Sequence, residues 1–253
     1  MVASVTPTSP AAPQSSRWPA RLDVVQSLTG LGLALFMWAH MLFVASILLG
    51  KDAMWTVTRM FEGYFVFGRS YPILVSGVAA LVIAALVVHA ALALRKFPAS
   101  YAQYVTFRRH AGSMRHADTT LWLWQVWTGF ALFFLATVHV YTMLTRPDQI
   151  GPYASADRVW SDVLWPLYLV LLFAVEIHAG IGLYRLAVKW GWFSSANPDV
   201  SRRRLVRAKW AVTAFLIVLG LATLAAYIRI GIEHAPFYGE RYLPDGYALE
   251  PDA

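Results

Sequence analysis

The chain has 253 residues, of which 58% are hydrophobic and 14% charged, a composition too apolar for a water-soluble domain of that length. It has no cysteine, which excludes disulfides, iron–sulfur clusters, zinc-thiolate sites and covalently attached c-type haem. The net charge of +7 would suit a nucleic-acid binder, but its distribution along the chain argues for membrane orientation and no nucleic-acid partner.

Residues 1–21 are rich in Ser, Pro and Ala and lack the basic start and apolar run of a cleaved signal peptide. They read as a mobile cytoplasmic tail. Five apolar runs follow, at about 22–49, 71–96, 120–146, 162–190 and 205–231. Each exceeds the roughly 20 residues that carry a helix across a bilayer core. No soluble domain fits between them. The expected fold is therefore an all-α integral membrane protein, a five-helix bundle over 22–231, with a tail at 232–253. With the N-terminus inside, 14 of the 21 basic residues fall on the inner segments, against three acids. The outer segments then carry the other seven basic residues and ten acids. This predicts a cytoplasmic N-terminus and a periplasmic C-terminus. The basic inner loops serve either as a topology signal alone or also as a docking face for a partner protein.

Of the seven histidines, His110, His116 and His234 lie in loops or beyond the last run and read as solvated or headgroup residues. His40, His89, His139 and His178 lie one apiece in the first four runs. An ionisable group inside a membrane helix is costly and usually functional. His40 and His139 lie 18 and 19 residues from the inner ends of outward-running helices, which places both in the outer half. His89 and His178 lie 18 and 16 residues from the outer ends of inward-running helices, which places both in the inner half. The two levels are roughly 10–15 Å apart at 1.5 Å per residue. Two facing imidazoles per level suit bis-histidine haem iron, whereas zinc would want three or four ligands. Gly30, Gly32, Gly77, Gly129, Gly180 and Gly182 flank these histidines and would let a macrocycle or a helix come close.

In the segment between the first two runs, Glu62 stands among Phe61, Tyr64, Phe65 and Phe67. It is either a solvated acid beside interfacial aromatics or the proton acceptor of a quinone pocket. Glu176 lies two residues before His178, about 160° around the helix from it, and so cannot ligate the same iron. It is either a hydrogen-bonded helix contact or a proton relay. Gln26, Ser27, Trp122 and Lys189 lie near the inner helix ends, at a level where they could hold anionic haem propionates or act as headgroup anchors.

The segments "WAHML" at His40, "VVHAAL" at His89, "TVHVYTM" at His139 and "EIHAGIGLYRL" at His178 resemble the dihaem cytochrome b membrane anchor of fumarate reductases and of some succinate dehydrogenases. The resemblance covers essentially the whole chain. It implies two b haems, a distal one on His40 and His139 and a proximal one on His89 and His178, with no other metal. It implies that Glu62 serves a menaquinol site and that Glu176 belongs to a transmembrane proton path. It implies that Gln26, Ser27, Trp122 and Lys189 hold proximal propionates and Arg158 a distal one. It further implies electron transport in a bacterial inner membrane, with an iron–sulfur subunit and an FAD flavoprotein docked on the cytoplasmic side, in a dimer of heterotrimers. Electrons from menaquinol would reduce fumarate to succinate there; the same parts run in reverse would serve succinate oxidation. A dihaem subunit of a hydrogenase or formate dehydrogenase is a rival, disfavoured because one histidine per helix is not its usual pattern. A haem-free transporter with a histidine–carboxylate proton path is another.

Overall fold

The computed structural model describes residues 16–114 and 117–247. The tail expected at residues 1–15, Arg115, His116 and the end of the C-terminal tail at 248–253 lie outside those residues.

Helix α1 (Trp18–Val44) opens with a proline in its first turn and continues through a 3-10 segment, Ala45–Leu49, to Gly50. The first spanning unit thus runs over Trp18–Leu49 and begins four residues ahead of the expected start at 22. Two short helices follow, α2 (Lys51–Phe61) and α3 (Tyr64–Phe67). Gly63 between them has φ +78°, and a Cβ there would come within 2.9 Å of Leu74. Helix α4 (Ile73–Leu94) crosses back, and α5 (Tyr101–Ser113) is capped by the Ser100 hydroxyl. Helix α6 (Ala117–Thr145) is the third span, α7 (Pro152–Trp160) a short connector, and α8 (Trp165–Trp190) the fourth span. The left-handed Gly191 (φ +68°) ends α8.

Helix α9 (Pro198–His234) has 37 residues, well beyond the expected 205–231. Its Asn197 cap accepts from the backbone N–H groups of Asp199 and Val200, so the helix starts upstream of the apolar run. At 1.5 Å per residue it is about 55 Å long, so it projects well past a hydrocarbon core of about 30 Å.

Helices α1, α4, α6 and α8 form a ring in that order, and α9 packs against the outside of α8, with α7 across its C-terminal half. Close approach is built on small residues. A Cβ on Gly220 would come within 2.4 Å of Leu172, and one on Gly231 within 2.8 Å of the Ala156 carbonyl oxygen. Met41, Leu172 and Leu216 make one buried cluster; Ile47, Met54, Ala156, Val159 and Tyr227 make another under α7.

Beyond α9 the chain folds back over α2 and α7. Tyr242 donates to Asp52 (2.6 Å) and Tyr238 to Asp162 (2.9 Å). Desolvation, helped by the Asp52 carboxylate, pushes the Tyr242 phenol up to about 12. His234, expected to be solvated, is instead buried: its Nδ1 lies 2.8 Å from Asp157 and its ring stacks on Tyr153 at 4.0 Å. The α9 extension carries it under the α7 connector. His110 is exposed on α5.

Candidate functional site: two histidine pairs around one cavity

The ring of four helices encloses a cavity of about 1090 Å³ lined by all four spanning histidines. Each of α1, α4, α6 and α8 supplies one. The rings meet in two pairs. His40 and His139 have centroids 5.9 Å apart, with ring planes at 52°. His89 and His178 are 6.5 Å apart, with planes at 83°. A metal–imidazole nitrogen bond is about 2 Å and the nitrogen lies ~1.1 Å from its ring centre, so two rings sharing one metal should sit roughly 6 Å apart. Both pairs match that separation, and the long cavity has room beside them for flat groups.

The His89/His178 pair lies at the end that bears Asp23. Thr128 donates its hydroxyl proton to the Trp124 carbonyl (2.7 Å), so its oxygen can only accept from His178 Nδ1 at 3.3 Å. The Gln125 carbonyl oxygen lies 2.9 Å from the same nitrogen. Thr29, likewise committed to the Val25 carbonyl (2.9 Å), faces His89 Nδ1 at 3.3 Å. Both rings are therefore set to donate from Nδ1, the tautomer that leaves Nε2 without a proton. Each also leans on a glycine of the neighbouring helix. A Cβ on Gly30 would meet His89 Cε1 at 2.8 Å, and one on Gly129 would meet His178 Cε1 at 3.0 Å.

The mouth at this end is polar. Gln26, Ser27, Trp122 and Lys189 all line it. Lys189 donates to Ser27 (3.0 Å) and to Asp23, which also holds Lys96. The Gln26 Oε1 atom is buried and has no partner among the described residues. Lys96, Gln125 and Arg185 line the same mouth and were not singled out from sequence. Their one sequence signal is position, since Lys96 ends the second run and Arg185 lies seven residues after His178.

The His40/His139 pair is held differently. Phe36 stacks on His40 (5.9 Å, 13°) and Tyr168 packs edge-on to His139 (5.5 Å). Neither ring makes a hydrogen bond among the described residues, and His139 Nδ1 is buried. Arg158 lines the cavity here, buried, donating to the Gln149 carbonyl. It stands in the α7 connector, seven residues before the fourth span. Tyr227, with a buried hydroxyl that lacks a partner among the described residues, lines the same region.

The two carboxylates lie off the cavity lining. Glu62 caps the C-terminus of α2 at 2% exposure, so the solvated alternative is overturned: α2 is an amphipathic helix that turns this end inward. Arg59 Nη1 donates to Glu62 (2.7 Å) and to Ser70 (2.6 Å). Arg59 was missed, although its spacing of three from Glu62 on a helix is a local signal. Glu176 is 1% exposed and shares a face of α8 with Gly180 and Tyr184, toward α9 and away from His178.

The model of the succinate dehydrogenase/fumarate reductase transmembrane subunit matches residues 102–220. The fumarate reductase cytochrome b subunit of Wolinella succinogenes is 56% identical over 220 residues, 87% of this chain and 86% of its own length. That of Helicobacter pylori (strain 26695) is 53% identical over 215 residues, 85% of this chain and 83% of its own. Five helices long and apolar enough to cross a bilayer, joined to this similarity, describe a multi-pass protein of a bacterial inner membrane. The chain belongs to the succinate dehydrogenase/fumarate reductase transmembrane-subunit family.

Proposed function

We propose that this chain is the dihaem cytochrome b anchor of a menaquinol:fumarate reductase. The observation that carries the reading is the pair of imidazole pairs, at two heights of one cavity, each at the separation of two ligands on one metal. Haem iron bound there would pass single electrons between its ferrous and ferric forms. The Asp23 end, with its excess of Lys and Arg, faces the cytoplasm; the His89/His178 level is thus inner and the His40/His139 level outer.

His40 and His139 would hold the distal group and His89 and His178 the proximal one. At the inner mouth Lys189, Ser27, Gln26 and Trp122 would bind its carboxylates, and Arg158 would bind one at the outer level. Glu62 would accept a proton from menaquinol on the outer side. Glu176, set apart from the histidines on the α9-facing side, would serve a proton path across the membrane. The basic inner loops suit docking of an iron–sulfur subunit and a flavoprotein, where fumarate would be reduced; the names of the similar proteins support that assignment.

The test is substitution read by absorbance and haem content. His40→Ala and His139→Ala should lose one and the same haem, and His89→Ala and His178→Ala the other. Loss in any other grouping, or no haem in the unaltered chain, refutes the reading.

A further inference from the structure

The exposure of Glu62 raises a difficulty for any quinol that is to reach it: only 2% of the residue meets the outside. Arg59 is one of the groups packed on it. The Arg59 side chain is 21% exposed and lies on the Glu62 carboxylate, 2.7 Å away. The same nitrogen, Nη1, also reaches the Ser70 hydroxyl at 2.6 Å, and the guanidinium stands 5.4 Å over the Trp55 ring. Three groups from α2 and from the turn before α4 thus fix the fork in place. Its Nε is committed to nothing: it is buried and lacks a partner among the described residues. A buried N–H left unpaired is costly and calls for an acceptor.

The surroundings say what sort of ligand. Phe65, Val66 and Phe67 on α3, which follows Glu62 directly in the chain, are exposed at 60%, 79% and 60%. Exposed aromatic rings and a cationic donor within a few residues of one another in the chain suit an aromatic ring bearing oxygens: apolar faces for the phenylalanines, an oxygen for the guanidinium.

We infer that Arg59 is a quinone-binding residue of this chain, its Nε–H donating to one ring oxygen while Nη1 holds Glu62 beside the same oxygen. This deepens the menaquinol assignment of Glu62 and rests on it. Arg59 sets where the carboxylate stands and shields it from water; Glu62 remains the proton acceptor. Arginine is needed because a lysine is a single point charge and cannot hold a carboxylate, a hydroxyl and a ligand at three fixed angles.

The experiment uses the haem-loaded complex in detergent, with a short-chain naphthoquinol as substrate and the matching naphthoquinone for equilibrium binding. Arg59→Gln should raise the naphthoquinol KM at least tenfold and weaken naphthoquinone binding to the same degree, with both haem absorbance bands retained. Arg59→Lys should recover only part of this, and Ser70→Ala should raise KM two- to threefold. Should Arg59→Gln not assemble, Arg59→Lys decides by the same KM and binding readings. An unchanged KM and unchanged binding overturn the proposal, as does faster turnover at unchanged KM, which would make Arg59 a restraint on Glu62 and nothing more. If Glu62→Gln still abolishes turnover in that case, the Glu62 assignment stands and only Arg59 falls. If Glu62→Gln is fully active as well, the menaquinol assignment itself fails.

Discussion

At the inner level of the cavity each imidazole is tied through Nδ1 to oxygens of a neighbouring helix and seated against a glycine; at the outer level the imidazoles are held by other rings. The inner pair is therefore fixed in tautomer and rotation before any metal arrives. The outer pair has its place set by Phe36 and Tyr168 but not its proton, because neither ring has a hydrogen-bond partner among the described residues. Outer hydrogen bonds to a ligating histidine raise its basicity and fix its aim. The difference teaches that two pairs of the same side chain need not be equally preorganised, and that any metal chemistry they support should differ accordingly.

The largest effect that tests this contrast is removal of a ligand. His178→Ala should empty the inner level and leave the outer one filled, a loss of one haem of two by pyridine haemochrome assay. Next is the proton acceptor: Glu62→Gln should lower quinol turnover by about 100-fold, within the range for a lost general base, with both haems retained. Third is the glycine seat. Gly129→Val drives a side chain into His178, so inner occupancy should fall sharply while the outer band stays unchanged in the absorbance spectrum. The smallest is the tautomer lock. Thr128→Val keeps the shape and removes one acceptor, and the Gln125 carbonyl remains, so haem affinity at the inner level should fall by about tenfold, the low end for such outer partners. If instead Phe36→Leu moves the inner haem as much as Thr128→Val does, the two levels are not independent and the contrast fails.

Much of this architecture is written in the sequence because a bilayer imposes a simple rule. Runs of about 20 apolar residues have few alternatives to a spanning helix, and a lone histidine in each of four runs stands out against leucine and valine. The depth of each histidine then orders the levels, and the ring contacts follow those pairs. What lay beyond that reach has identifiable causes. Helices α2, α5 and α7 are 9–13 residues long, α2 and α7 amphipathic and α5 polar and exposed almost throughout, so no hydropathy run marks them. The start of α9 at Pro198 is set by a cap, while the apolar run begins later. His234 pairs with a residue 77 positions away, a contact no local pattern encodes. Lys96 and Arg185 read as topology charges, yet the fold turns them into the wall of the inner mouth.

The most direct test of the central claim is a count of low-spin ferric centres with two imidazole ligands, by low-temperature electron paramagnetic resonance, in the oxidised protein purified from membranes. The account predicts two distinct centres per chain, one lost with His40 or His139 and the other with His89 or His178. A single centre, or four histidine variants that all erase the same signal, would contradict it.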